Sequence, residues 1–90
     1  MKVIKVGAVW CPGCHIMKPR WEEVETIYPD LETEYYDYDE YEDMLVEKYK
    51  IDDTLPVAIF LDKNNNELER LVGIVTKKEI IQLVEEYHEK

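Results

Sequence analysis

Cys11 and Cys14 are the only two cysteines of the chain, and they stand three positions apart in Trp10-Cys11-Pro12-Gly13-Cys14. On a helix, positions i and i+3 share a face. Two thiols held that way can close a disulfide with little backbone movement, or share a metal. The residues before them, Lys2 to Val9, read as a buried strand. The residues after them, Ile16 to Tyr28, carry helical periodicity. The pair therefore falls at a strand-to-helix junction, with Cys11 near the helix N-terminus. Unpaired amide groups and the positive dipole end stabilise an anion there, and a thiolate is such an anion. Pro12 suits the first helical turn, because its missing amide would be unbonded anyway.

His15 adds a second pattern, since Cys-x-x-Cys-His is also the spacing of covalent haem attachment. Haem needs an accessible axial histidine, usually a second axial ligand, and an apolar pocket, and its attachment normally follows export. Zinc held by Cys11, Cys14 and His15 lacks a fourth ligand. No metal is therefore expected, and His15 is read as a solvent-facing residue of the first turn. As a cation near Cys11 it would favour the thiolate modestly.

The elements that must position the pair follow in order. Val3, Ile4, Val6, Ala8 and Val9 make the strand that leads into the cysteines. Cys14, Met17, Trp21, Val24 and Tyr28 recur at steps of three and four, which marks one helix face. Pro19 lies inside that helix and is expected to kink it. Thr33 to Tyr38 reads as an edge strand. Tyr41, Met44, Leu45 and Tyr49 give a short helix. Leu55 to Leu61 is an apolar run that fits a central strand covered on both faces. Asp62 to Asn66 is a turn, and Glu67 to Val72 returns as a hairpin partner. Thr76 and Glu79 form a capping box for a closing helix with Ile80, Leu83, Val84 and Tyr87 inside. The acidic, tyrosine-rich run from Asp30 to Asp43 has no calcium-loop spacing and reads as a solvated edge that discourages aggregation.

The 90 residues are read as one domain spanning 1–90. A net charge of -10 argues against nucleic acid and anionic membranes as partners. No apolar run approaches membrane-spanning length, and Met1-Lys2-Val3-Ile4 lacks the apolar core of a signal peptide, so a cytoplasmic protein is expected. In a reducing compartment a lone Cys-x-x-Cys is redox-active or metal-binding rather than structural.

The order β-α-β-α-β-β-α and four motifs together resemble the thioredoxin superfamily over nearly the whole chain. Trp10-Cys11-Pro12-Gly13-Cys14 resembles its active site with the two middle residues exchanged. Pro19 lies where the family carries a proline inside the helix. Thr54-Leu55-Pro56 resembles the cis-proline loop, and Val72-Gly73-Ile74 the substrate-facing glycine region. The family's N-terminal strand and helix have no counterpart here, which leaves the compact core also seen in glutaredoxins. No paired glycines of the glutathione-binding type lie near Gly73, so the tail is more similar to thioredoxin.

The resemblance implies an α/β fold with a four-stranded mixed central sheet and three helices on its two faces. It implies a dithiol reductase of protein disulfides, with a redox-active Cys11–Cys14 disulfide and no cofactor. Cys11, nearer the helix end and expected nearer the surface, would attack; Cys14 would resolve the mixed disulfide. Trp10, Pro12, Gly13, Leu55, Pro56, Val72, Gly73 and Ile74 would form the substrate surface. A cis Leu55-Pro56 bond is expected, leaving the Leu55 backbone to pair with an extended substrate. A thioredoxin-reductase-type enzyme or glutathione would supply electrons, the chain acting as a monomer in cell redox homeostasis and electron transport. The alternatives are a glutathione-linked reductase of glutaredoxin type, or a non-catalytic metal-binding or redox-sensing module. Lys5 departs from the family, which has a buried acid at this distance before the first cysteine. It is expected to turn outward, leaving the proton acceptor for Cys14 unassigned.

Overall fold

Val3, Ile4 and Val6 point alternately to the two sides of Lys2–Gly7 (β1), so this strand needs cover on both faces. The computed structural model of the protein, which describes residues 1–89, supplies that cover. The remaining elements are Pro12–Ile27 (α1), Glu32–Asp37 (β2), Tyr38–Tyr49 (α2), Val57–Leu61 (β3), Glu67–Val72 (β4) and Lys77–Tyr87 (α3). The sheet order is β2-β1-β3-β4. β1 runs parallel to β2 and antiparallel to β3, and β3 and β4 form an antiparallel hairpin. The expected four-stranded mixed sheet with three helices is therefore the architecture of the chain.

The core divides by face. Ile4 and Val6 of β1 join Val57, Ile59 and Leu61 of β3 beneath α2, around Leu45. Val3 joins Ala58 and Phe60 beneath α1 and α3, around Met17, Trp21, Val24, Ile80 and Val84. All five residues of β3 are buried, as a strand covered on both faces requires. Helices this short are marginal in isolation. Burying a Leu, Ile or Phe side chain contributes about 1.5–3 kcal/mol, so packing on the sheet, more than propensity, holds them.

Several boundaries differ from the sequence reading. β1 ends at Gly7 rather than Val9, because the chain turns at once: the Cys11 amide donates to Ala8 O at 3.2 Å. α1 begins at Pro12, four residues before Ile16, and continues through Pro19. α2 begins at Tyr38 rather than Tyr41, because Asp37 Oδ1 accepts from the amides of Asp39 and Glu40 at 2.9 and 3.3 Å. Tyr41 itself departs from helical angles. β3 begins at Val57, since Pro56 has no amide to give the ladder. The Thr76–Glu79 capping box is present in both directions.

The β3–β4 turn is held by one carboxylate. Asp62 Oδ1 accepts from the amides of Asn64 and Asn66 at 2.8 and 2.9 Å, and Asn65 takes the left-handed conformation, φ 66°. The Asn66 amide, more than any other group, holds the Asp62 carboxyl below its usual 3.8. A carboxyl whose folded pKa is depressed stabilises the fold above its unfolded pKa and loses that contribution as pH falls through the folded value. Asp62→Ala should therefore lower the urea midpoint at pH 7, and the gap to wild type should narrow as pH falls through the folded pKa of Asp62. A gap that persists unchanged at pH 2 would contradict this.

Candidate active site

Helix α1 starts where β1 leaves the sheet, and the first cysteine caps it. Cys11 is the N-cap residue, in extended conformation, and its Sγ accepts from the Cys14 amide at 3.2 Å. Pro12 occupies the first turn, and no acidic residue stands there to compete with a thiolate. Cys11 and Cys14 are joined as a disulfide with Cα atoms 5.3 Å apart. One expectation needs correcting: Cys11 does not lie nearer the surface. It is 5% exposed, whereas Cys14 is half-buried. The turn from Ala8 to Cys11 tucks Cys11 into the α2-side core, while Cys14 faces a cavity beneath α1. A special role for Cys11 must rest on its place at the helix end.

Two loops meet the cysteine turn. The Leu55-Pro56 peptide is cis, as expected. A Cβ on Gly13 would stand 3.1 Å from Pro56 Cδ and 3.2 Å from Ile74 Cγ1, so Gly13 lies directly against both loops. The Gly73 amide donates to Pro56 O at 2.7 Å, and Val72 pairs with Val57 in the sheet. Pro12, Val72 and Ile74 are exposed, while Gly13, Leu55, Pro56 and Gly73 are half-buried. The structure thus brings Gly13, Pro56, Gly73 and Ile74 together beside the disulfide. Trp10, 50% exposed, turns the other way. Its Nε1 donates to both Asp39 carboxylate oxygens at 2.9 and 3.1 Å, and its ring meets Tyr38 edge-on at 6.5 Å.

Lys5 also differs from expectation. It does not turn outward, but lies on the α1 side of the sheet. Its Nζ reaches Glu25 Oε2 at 2.6 Å and stands 5.7 Å from the centre of the Trp21 ring. Lys5, Glu25, Cys14 and Tyr35 all line a cavity of about 400 Å³. His15 is exposed as expected, and its Nε2 bonds the Val9 carbonyl at 2.9 Å.

Sequence reasoning missed four participants. Val9 lies beyond the end of β1 and is 76% exposed on the rim beside Trp10. Asp39 anchors Trp10 from another element. Glu25 holds Lys5, and Tyr35, on the edge strand, lines the same cavity as Cys14. Only the parallel register of β1 and β2, which sets Tyr35 opposite Lys5, would have brought the last of these forward.

The Thioredoxin family model matches residues 1–86. The chain belongs to the thioredoxin family. Among relatives, it is 32% identical over 85 residues to thioredoxin H7 of Arabidopsis thaliana, covering 94% of this chain. It spans 63% of that plant protein's length. Among solved structures, thioredoxin 1 of Thermosipho africanus superposes with a TM-score of 0.82 at 27% identity, covering 99% of this chain and 96% of that one. The thioredoxin NaTrxh of Nicotiana alata superposes with a TM-score of 0.84 at 27% identity, covering 96% and 71%. The sulfur-capped α1, the Leu55-Pro56 loop and the Gly73 turn lie where three of the four expected motifs fall, and Pro19 stands inside α1. Lys5 paired to Glu25 is this thioredoxin's departure.

Gly73 has φ 87°, a left-handed value that a side chain resists, although a Cβ there would meet nothing within 4 Å. Gly73→Ala should therefore cost about 1–2 kcal/mol from backbone strain alone, read as a lower urea midpoint with an unchanged m-value. Unaltered stability would mean that the Gly73–Pro56 contact does not need this conformation.

Proposed function

We propose that this chain, as one thioredoxin domain over residues 1–90, is a thiol-disulfide oxidoreductase that reduces protein disulfides. The observation that carries the reading is Cys11 at the N-cap of α1, paired with Cys14 in a disulfide, beside a largely uncharged rim.

In the forward reaction the Cys11 thiolate attacks one sulfur of a substrate disulfide. The other substrate sulfur leaves as a thiolate and takes a proton from water. Cys14, as a thiolate, then attacks Cys11 Sγ in the mixed disulfide. The second substrate sulfur leaves, and the Cys11–Cys14 disulfide forms. The substrate gains two electrons and the protein loses two. A thioredoxin-reductase-type enzyme or glutathione returns them, and no other cofactor takes part.

The amide of Cys14 and the helix dipole stabilise negative charge on Cys11, which supports Cys11 as the attacking sulfur despite its burial. Trp10, Pro12, Gly13, Leu55, Pro56, Val72, Gly73 and Ile74 form the proposed substrate surface, and exposed Val9 extends it. The Leu55 backbone is offered to an extended substrate segment, as in strand addition. The protein carries a net charge of -10 around a largely uncharged contact surface, with the Asp39 carboxylate held by Trp10 at its edge. Charge therefore acts mainly on encounter with basic substrates, and close contact is apolar. No helix among the described residues is long and apolar enough to cross a membrane. A monomer in the cytoplasm, serving redox homeostasis and electron transport, is the setting we infer.

Two measurements test the assignment. With dithiothreitol as donor, wild type should accelerate insulin reduction, and Cys11→Ser should reduce the rate to background. Limited iodoacetamide treatment of the reduced protein at pH 7, followed by mass mapping, should label Cys11 first. Preferential labelling of Cys14 would reverse the assigned roles, and no acceleration of insulin reduction would remove the proposed activity.

A further inference from the structure

Tyr35 sits on the edge strand β2, opposite Lys5 in the parallel register. Its phenol crosses the bare backbone of Gly7. A Cβ placed on Gly7 would stand 2.9 Å from Tyr35 Oη and 3.2 Å from Cys14 Sγ. The hydroxyl and the second cysteine thus border the same space, the one a Gly7 side chain would fill. Tyr35 is 58% exposed, but it lines the same cavity as Cys14. Among the described residues, no other hydroxyl-bearing or carboxylate side chain is that close to the Gly7 position.

We propose that Tyr35 Oη donates a hydrogen bond to Cys14 Sγ when Cys14 becomes the thiolate that resolves the mixed disulfide. This deepens the oxidoreductase reading above and rests on it. Cys14 gives its proton to water in the cavity; the phenol keeps its own and stabilises the sulfur anion. Cys14 Sγ then bonds to Cys11 Sγ as the substrate sulfur leaves with the electron pair of the broken bond. A disulfide sulfur is a poor acceptor and a thiolate a strong one, so the hydrogen bond strengthens as the resolving step begins.

The charged groups around this phenol agree with a donor role. Lys5 faces it from β1 and Asp37 lies on its own strand. His15, Lys18, Glu22 and Glu25 line the cavity from α1. Burial first, then the Asp37 carboxylate, push the Tyr35 phenol above its ordinary 10, so it stays protonated wherever the enzyme would work. Lys5 is bound to Glu25 at 2.6 Å, which leaves Tyr35 as the neutral donor facing Cys14.

The test is Tyr35→Phe, which keeps the ring and removes the donor. In a Cys11→Ser background, the pH midpoint for Cys14 alkylation should rise by about one unit, the scale of a lost hydrogen bond to a charged group. With Cys11 carrying a thionitrobenzoate mixed disulfide, release of the dye by Cys14 should slow about tenfold in Tyr35→Phe. The first attack, measured in Cys14→Ser with and without Tyr35→Phe, should change less than twofold. An unchanged midpoint, or equal slowing of both steps, would overturn the proposal. The alkylation midpoint reads the Tyr35–Cys14 interaction even if no protein disulfide is a substrate. Absent insulin reduction with a shifted midpoint would therefore fault the oxidoreductase reading and not this one.

Discussion

A helix must end its chain of amides on something, and in this protein the first helix ends on sulfur. Asp37 caps α2 with a carboxylate, and Thr76 with Glu79 caps α3. These are the oxygen groups that helix starts ordinarily use. α1 instead presents Cys11, whose Sγ accepts from the Cys14 amide. A sulfur is a weaker acceptor than an oxygen, so α1 gives up part of the capping energy, about 1 kcal/mol in all, and keeps a thiol where negative charge is favoured. Buried Met17, Trp21 and Val24 hold the helix in place regardless. Packing against the sheet lets the cap be chosen for chemistry.

The rest of the fold fixes what meets that cap. β1 is hydrogen-bonded on both edges, so its C-terminal end always delivers the turn Ala8–Cys11 to the same place. β3 is its antiparallel neighbour and therefore begins beside that end, which brings Leu55-Pro56 to the cysteines. β4, paired to β3, ends there too and contributes Gly73. Gly13 closes the arrangement by letting Pro56 and Ile74 approach the α1 backbone. Three segments far apart in the chain converge because one sheet register demands it.

Much of this was legible in the residues. The 3.6-residue spacing of Met17, Trp21 and Val24, the unbroken apolar run of β3 and the Thr76–Glu79 box each carry a local physical signal. The cysteine turn was legible because its spacing and its proline are local too. What stayed hidden depends on partners distant in the chain. Lys5 faces inward because Glu25, on the far side of a turn and more than three helical turns into α1, offers it a carboxylate. Trp10 is fixed by Asp39, and Tyr35 comes to the space beside Gly7 and Cys14 through the register of two parallel strands. Val9 continues the apolar pattern of β1 yet lies in a turn, since hydrophobicity does not reveal where a ladder stops. The burial of Cys11 reverses the expected exposure of the pair, because the turn before α1 points its first cysteine into the core.

The central claim is that Cys11–Cys14 is a working redox couple and not a structural cross-link. Stabilising the Cys11 thiolate at a helix end stabilises the reduced form, which raises the reduction potential. Equilibrating the protein with dithiothreitol buffers of known potential, and counting free thiols by mass after alkylation, measures it directly. A working couple should give a value between about -270 and -120 mV, the span of working Cys-x-x-Cys proteins. A value below about -300 mV, where structural disulfides lie, would contradict it.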